Sequence, residues 1–581
     1  MKRESYLVGH AFRSFLFASV MTVAASQMGA FIDGLMVTWF VNDAAMSAIN
    51  ISMPVLQLYF SLCLLLGVGG TLIAGKAIGN HERERASGTF SLSVTAAVVT
   101  GIALGVLGLI FFNPVIRLLC PDPALSGYAS QYMIITIPTG FIYMLMIVLQ
   151  LFVALDGEPK RVTAAVSTCI VINLILDFVF LKIFGWGLTG AAIATVVSYV
   201  PAILILLTHF RKKGTLRYTG KINIRVLPAI ARMGAPSGFT GLLMSVQIFV
   251  CNIIAIDYLG TAGVIVFAVC MYLLRLSMII LTGTIDSFQP VASILSGSDD
   301  NRGVAMVLGK AYTFLGSSLA IYAAVMIFFP EAIGRLFSIT DASTMDMFCS
   351  AIPAYAFNII LQCAIGLLIP VYQIYDNTRQ AMIVSVGQPL MPIIFFWIFA
   401  TTGIDAWWGF ATGQIVLLVL LLPIVLHSGD GRMPFFLIPT RGAGKMYDTS
   451  IVPSISDAGK QLREADNWMA KSGIAESLRF RVGVSCEEII KNIIDHADNL
   501  NRKAASVDMR ISIDKEKISA VIHDEGRPFN PIEQDSHKGI GLLIAKGSCD
   551  DMKYEYMFNQ NILTMSWYTE RTPDSALELV P

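Results

Sequence analysis

The sequence is short of charge. Only 14% of its 581 residues are Asp, Glu, Lys or Arg, and the two signs cancel at 41 each. A net charge of zero leaves no global basic field for nucleic acid to read, so any charge logic is local. The nine cysteines form no C-x-x-C pair and no metal-ligand spacing. Most lie in apolar runs, where a thiol acts as a small hydrophobe, so neither a disulfide framework nor a zinc site is expected. A G-x-x-x-x-G-K-[ST] loop is missing, which argues against P-loop chemistry. The basic start Lys2-Arg3 is followed by no convincing small-x-small cleavage site. The apolar run there continues well past the length of a leader, so it reads as a retained span.

What the chain has instead is hydrophobic residues, at 55% of the total. That composition belongs to a polytopic membrane protein. Near Gly431 the character changes, and the remaining quarter carries half of all the charged residues. Runs long enough to cross about 30 Å of hydrocarbon fall near residues 12–40, 50–75, 88–112, 130–155, 162–184 and 188–208. A second six fall near 235–257, 262–285, 311–330, 350–372, 382–402 and 408–427. Lys76 to Arg85, Lys160-Arg161, Arg211 to Arg225, Arg302, Arg379 and Arg432 to Lys445 share one face. The opposite loops carry little beyond Arg117 and Arg335. The positive-inside rule therefore puts both termini in the cytoplasm of a multi-pass cell-membrane protein.

The two sets of six resemble each other. Phe111-Phe112-Asn113-Pro114-Val115-Ile116-Arg117-Leu118 pairs with Phe328-Phe329-Pro330-Glu331-Ala332-Ile333-Gly334-Arg335-Leu336, and Pro138 pairs with Pro353. Two parallel six-span halves form a secondary-transporter architecture, with the path between them. The expected divisions are an N-lobe over 1–210, a C-lobe over 211–430, a cytoplasmic linker over 431–445 and a cytoplasmic domain over 446–581.

A carboxylate at membrane depth is costly and usually marks an ion or proton path. Asp33 lies mid-span, and Asp177 lies one helical turn after Asn173 on the same face. Thr195 adds a hydroxyl on the sixth span. Carboxylate, amide and hydroxyl together are hard-oxygen chemistry, suited to a proton or sodium. Arg275 and Asp286 in the eighth span read more readily as a structural pair or interfacial groups.

At these residues the first 430 positions resemble the multidrug and toxic compound extrusion (MATE) family. The resemblance rests on Phe31–Gly79, with Asp33, Pro54, Gln57 and Gly67-x-Gly69-Gly70, and on Asn173-x-x-x-Asp177 followed by Gly187-x-x-Gly190-Ala191-Ala192-x-Ala194-Thr195. It implies cation coupling at Asp33, Asn173, Asp177 and Thr195. The second half offers Gln247 and Asn252 where the first has Gln27 and Asp33, so coupling is expected in the N-lobe alone.

The last 135 or so residues read as an α/β sandwich. Strands are expected near 446–452, 506–513, 518–523, 552–558 and 562–567, and helices near 454–471, 476–497 and 541–550. Three short elements sit on this frame in order: Glu488-x-x-x-Asn492, then Asp524-x-Gly526-x-Pro528-Phe529, then Gly539-x-Gly541. Glu488 and Asn492 share a helix face, where an amide oxygen suits magnesium and a carboxylate suits a general base. A carboxylate after a strand can accept an adenine amino hydrogen, and glycines before a helix suit phosphate. Together they resemble the GHKL (Bergerat) ATPase fold, and the short Asn530–Lys538 segment resembles the lid of anti-sigma-factor serine kinases. The resemblance implies ATP and Mg²⁺ as cofactors, with Glu488 as base, Asn492 as magnesium ligand and Asp524, Gly526, Gly539 and Gly541 around the nucleotide. His496 reads as helix packing.

The expectation is a helical membrane protein of two six-helix lobes plus a Bergerat-type sandwich. Its partners are the bilayer, a cationic or amphipathic small molecule and a cytosolic protein docking on the tail, with no nucleic acid. The leading reading is a H⁺- or Na⁺-coupled efflux antiporter with an ATP-binding regulatory domain. Two others stay open: a membrane-anchored sensor whose tail is a serine kinase, and a flippase for lipid intermediates or peptides.

Overall fold

The computed structural model describes residues 6–120, 123–212, 216–220, 222–298, 300–426, 436, 438, 445–498, 507–513, 517–526, 529–532, 540–557 and 560–568. The chain divides into two compact units. One comprises 15–298 and 304–438, the other 439–581 with the short stretches 1–14 and 299–303.

The larger unit is helical: α1 (Tyr6–Phe40), α2 (Asp43–Gly79), α3 (Arg83–Ile110), α4 (Phe112–Leu119), α5 (Pro123–Leu155), α6 (Pro159–Asp177), α7 (Gly187–Lys212), α8 (Leu227–Ile254), α9 (Gly260–Gly297), α10 (Asn301–Phe328), α11 (Pro330–Leu336), α12 (Ala342–Gly366), α13 (Leu368–Ile374), α14 (Thr378–Thr402) and α15 (Trp408–Leu426). Ten helical stretches among the described residues are long and apolar enough to cross a membrane. One of them, Ile224–Gly297, holds both α8 and α9, and the shorter apolar helix Trp408–Pro423 ends the series. The short helices α4 and α11 fall on the two segments that resemble each other in sequence, and α5 and α12 after them each contain a proline, Pro138 and Pro353.

Helices α2 and α9 run well beyond the apolar windows that mark them in the sequence. A hydropathy window reports hydrocarbon thickness, whereas a helix ends where its backbone groups find other partners. At α2 that partner is Asn42, whose side chain accepts a hydrogen bond from the Ala45 amide at 2.7 Å.

Lipid gives helices no hydrophobic reason to associate, so close backbone contact does the work. At the crossing of α2 and α8 a Cβ on Gly69 would strike the Ile230 carbonyl, and one on Gly234 would strike the Leu65 carbonyl. Only glycine fits at these two positions. Further along α2, Gly75 meets Ser293 of α9, and Gly79 meets the Ile294 carbonyl. The two halves of the bundle are thus pressed together along the last third of α2.

The smaller unit contains β1 (Lys445–Ile451), α16 (Ile455–Lys471), α17 (Glu476–Asp498), β2 (Val507–Ile513), β3 (Lys517–Asp524), α18 (Ile540–Ser548), β4 (Asp551–Met557) and β5 (Gln560–Tyr568). Its sheet is antiparallel throughout, in the order β1-β2-β3-β5-β4. Period-two alternation puts Val507, Met509, Ile511, Ile518, Ala520, Ile522, Leu563, Met565 and Trp567 on one face. That face meets the apolar stripes of α16 (Ala458, Ala465, Met469) and α17 (Val482, Cys486, Ile489, Ile490, Ile494). Ser454 caps α16 by accepting from the Asp457 amide at 3.2 Å, and Asp457 accepts from the Val452 amide at 2.8 Å.

Gly234→Leu should lower the melting temperature of the purified protein by several degrees, since overpacking costs about 1–3 kcal/mol. Gly309→Leu, where an added Cβ meets nothing within 4 Å, should leave it unchanged; equal effects would show that the crossing is not tight.

Candidate functional sites

Two sites emerge, one in each unit. The first is built by α1 and α6, which pair side by side through small and polar residues. The Thr22 and Thr163 hydroxyls lie 2.8 Å apart, and Thr163 also reaches the Ala18 carbonyl at 3.1 Å. Two turns further, a Cβ at Gly29 would lie 2.9 Å from Ile170 of α6. Another turn along, this register brings the Asp33 carboxyl within hydrogen-bonding reach of Asp177. Beyond the pair, Phe40 and Phe178 meet edge to face at 6.1 Å, with the Lys182 ammonium over both rings.

No donor in the described residues serves these carboxyls. Oδ1 of Asp33 and both side-chain oxygens of Asp177 are buried without a hydrogen-bond partner, as is the Asn173 amide nitrogen. Asp177 is wholly buried. Two carboxyl groups in contact form a hydrogen bond only while one of them keeps a proton, and otherwise need a cation between them. The backbone relaxes at this point too, because α6 passes at Asp177 into a π-helical stretch over Phe178–Ile183.

Of the four coupling residues expected from the sequence, Asp33, Asn173 and Asp177 are gathered here. Thr195 is turned to its own helix, its hydroxyl donating to the Ala191 carbonyl at 3.0 Å. Sequence reasoning missed Tyr132 of α5, which lies within electrostatic reach of both carboxyls, and Tyr199 of α7, within reach of Asp33. No local signal separates these tyrosines from others in apolar spans.

The second site lies at one end of the sheet in the smaller unit. Asp524 ends β3 and is buried. Its Oδ1 accepts from the Gly526 amide at 2.7 Å and from the Asn561 side-chain amide at 2.9 Å. Asn561 is held in turn by the Tyr554 hydroxyl, which donates to its Oδ1 at 2.7 Å, and by the Phe529 amide at 3.2 Å. Among the described residues Asp524 Oδ2 takes no hydrogen bond, so one oxygen is fixed by the protein and the other is free to accept. Burial pushes the Asp524 carboxyl above the usual range, while the donors on Oδ1 pull it back.

Glu488 and Asn492 lie on α17, both half-buried. A Cβ on Gly541, at the start of α18, would strike the Glu488 carboxylate. Glycine is what lets this acid lie against the first turn of α18. Gly539 and Pro528 fall outside the described residues, as does the side chain of His496. Asn561 and Tyr554 were not expected from the sequence; a polar Asn opening the apolar strand β5 was the one available hint. The open acceptor Oδ2 of Asp524 fits a base amino group, and the Asn492 amide oxygen is of the type that would suit magnesium.

The fold and sites define a polytopic helical membrane bundle of transporter type joined to an α/β domain of GHKL type. Residues 18–179 match the MatE family model, and residues 454–567 match the histidine kinase-like ATPase domain. The chain therefore carries a MATE domain and a histidine kinase-like ATPase domain. It is 23% identical over 392 residues to the multidrug export protein MepA of Staphylococcus haemolyticus, covering 66% of this chain and 86% of that one. Against MepA of Staphylococcus aureus the identity is 22% over 378 residues, covering 63% and 82%. The bundle shares its fold with a MOP superfamily transporter from Pyrococcus furiosus at a TM-score of 0.65 and 20% identity, over 72% of this chain and 97% of that one.

An amide in place of one carboxyl keeps a hydrogen bond across the pair without needing a shared proton. Asp33→Asn should therefore melt at or above the wild-type temperature, and Asp33→Leu, which cannot hydrogen-bond across the pair, below it. Equal melting temperatures in the two variants would remove the contact as a stabilising one.

Proposed function

We propose that this protein is a cation-coupled efflux antiporter for organic cations and related drug-like molecules. The observation that carries this reading is the pair Asp33–Asp177, whose buried oxygens are served by no donor among the described residues. Such a pair takes up a proton or a sodium ion and gives it back as its surroundings change. Uptake removes a buried charge and allows α1 and α6 to pack more closely; release makes the carboxyls repel. That difference biases an alternating motion of two six-helix lobes, 1–210 and 211–430, with both termini on the cytoplasmic side. The multidrug export proteins among the relatives support the cargo class.

The tail, in this reading, binds ATP with Mg²⁺ and regulates transport. Asp524 Oδ2 would accept the adenine amino hydrogen, Asn492 would hold magnesium, the first turn of α18 at Gly541 would lie toward the phosphates and Glu488 would stand as base. Magnesium would neutralise phosphate charge there. Phosphorylation of a serine on a cytosolic partner is the chemistry this arrangement suits, and it leaves the transport stroke to the ion gradient.

In proteoliposomes with ATP absent, an inward H⁺ or Na⁺ gradient should drive movement of a cationic dye. Asp33→Asn/Asp177→Asn should reduce that movement to the level of empty liposomes. Dye movement in the double variant at the wild-type rate would defeat the coupling role, and strict dependence on ATP with gradients intact would defeat the antiporter reading.

For the full-length protein in nanodiscs, Asp524→Asn should weaken ATP binding about tenfold or more, the scale of a lost charge-assisted hydrogen bond. Asn561→Ala removes a donor that holds the Asp524 carboxyl down, so burial is less opposed and the carboxyl rises. The acceptor is present only above its pKa. ATP affinity in Asn561→Ala should thus fall away at a higher pH than in the wild type, and superimposable pH profiles would refute this arrangement.

A further inference from the structure

One charged residue in the second half of the bundle is unused by the coupling pair: Asp286, on α9. It makes no hydrogen bond or ion pair among the described residues. It is not alone on its face. Arg275, Thr282, Asp286, Gln289 and Ser293 recur at intervals of seven, four, three and four residues, so they form one stripe along an otherwise apolar helix.

Contacts at the end of α9 show where that stripe looks. Ser293 meets Gly75 of α2, Gly297 meets the backbone of Lys76, and a Cβ at Gly283 would lie 2.7 Å from Val20 of α1. The striped side of α9 is therefore turned toward α1 and α2, in the first half of the bundle. Toward the other end of α9 the helices no longer close over it, and Thr282 and Arg275 are exposed. Polar groups do not face lipid when another course is open. The stripe lines the space between the two halves.

Three features near Asp286 suit a cation. Among the described residues no ion pair reaches the carboxylate. Arg275 lies eleven residues away, about 16 Å along the helix axis, and Lys76 is paired with Asp376 at 2.6 Å. Pro290 has no N–H, so the Asp286 carbonyl four residues earlier lacks its helical donor and remains an acceptor. Gln289, one turn on, carries a side-chain carbonyl oxygen that can accept from an ammonium, and its buried amide nitrogen has no partner among the described residues.

We propose that Asp286, with its own carbonyl and Gln289, forms a cargo subsite that receives the ammonium or amidinium group of an organic cation. The site lies on α9, in the second half of the bundle, whereas the coupling pair lies on α1 and α6 in the first. Asp33 and Asp177 carry the driving ion, and Asp286 carries the substrate charge. This rests on the efflux reading above, but it separates recognition from coupling, which that reading does not.

The test uses full-length protein in nanodiscs and proteoliposomes with ethidium as the probe. Asp286→Asn should weaken ethidium binding about tenfold, the scale of one lost ion pair, while Asp286→Glu stays within a few fold of wild type. Gln289→Glu, which adds a carboxylate one turn away, should tighten binding and keeps the test open if Asp286→Asn is not recovered. Asp33→Asn/Asp177→Asn should bind ethidium like the wild type yet fail to move it against a gradient. Unchanged affinity in Asp286→Asn alongside wild-type transport would overturn the subsite alone. Failure of the wild type to bind or move any cationic dye would overturn the efflux reading and the subsite with it.

Discussion

Two carboxyl groups that touch inside an apolar helix bundle cannot both be ionised and unpaired. A bare buried charge costs an amount comparable with the net stability of a whole domain, so a proton or a cation must be present, or the helices must part. Asp33 and Asp177 impose that condition on α1 and α6, and the rest of this region serves it. Thr22 against Thr163 and Gly29 against Ile170 set the register that makes the two acids meet. The π-helical stretch after Asp177 supplies local play in the backbone.

The bundle as a whole is held by close approach more than by apolar burial. Gly69 and Gly234 place α2 and α8 backbone to backbone, and Gly75 and Gly79 do the same for α9. Contacts of this kind are short-ranged and bring few side chains into play, which lets them be made and unmade along a helix without unfolding it. The α/β domain is built on the opposite principle. Its apolar face is a continuous core of β-branched, aliphatic and aromatic residues, and its polar chemistry is confined to one end, where Asp524, Gly526, Asn561 and Tyr554 lock one another in place.

Much of this is legible along the chain, because each feature is local. Apolar runs mark the spans, alternation marks the strands, and the order of Glu488, Asn492, Asp524 and Gly541 marks the second site. Asn173 and Asp177 share a helix face by spacing alone. Thr195 illustrates the limit. Its type and place suggest a ligand, yet a threonine hydroxyl in a helix often satisfies itself on the carbonyl four residues back, and this one does. Tyr132 and Asn561 illustrate the converse. Their neighbours at the two sites lie far away in sequence, so no pattern around them announces a role.

What the sequence by itself determined is the choice of solvent for each part, the sequence of helices and strands, and the costly groups committed to the membrane. Those depend on composition and on periods of 3.6 and 2, which are properties of short segments. What only the tertiary structure decided is which of the costly groups meet. The contact of Asp33 with Asp177 depends on a register between two helices set by a glycine and two threonines. The solitude of Asp286 depends on which side of α9 turns toward α1 and α2. Both are long-range consequences of packing, and packing is specified by the whole set of contacts at once.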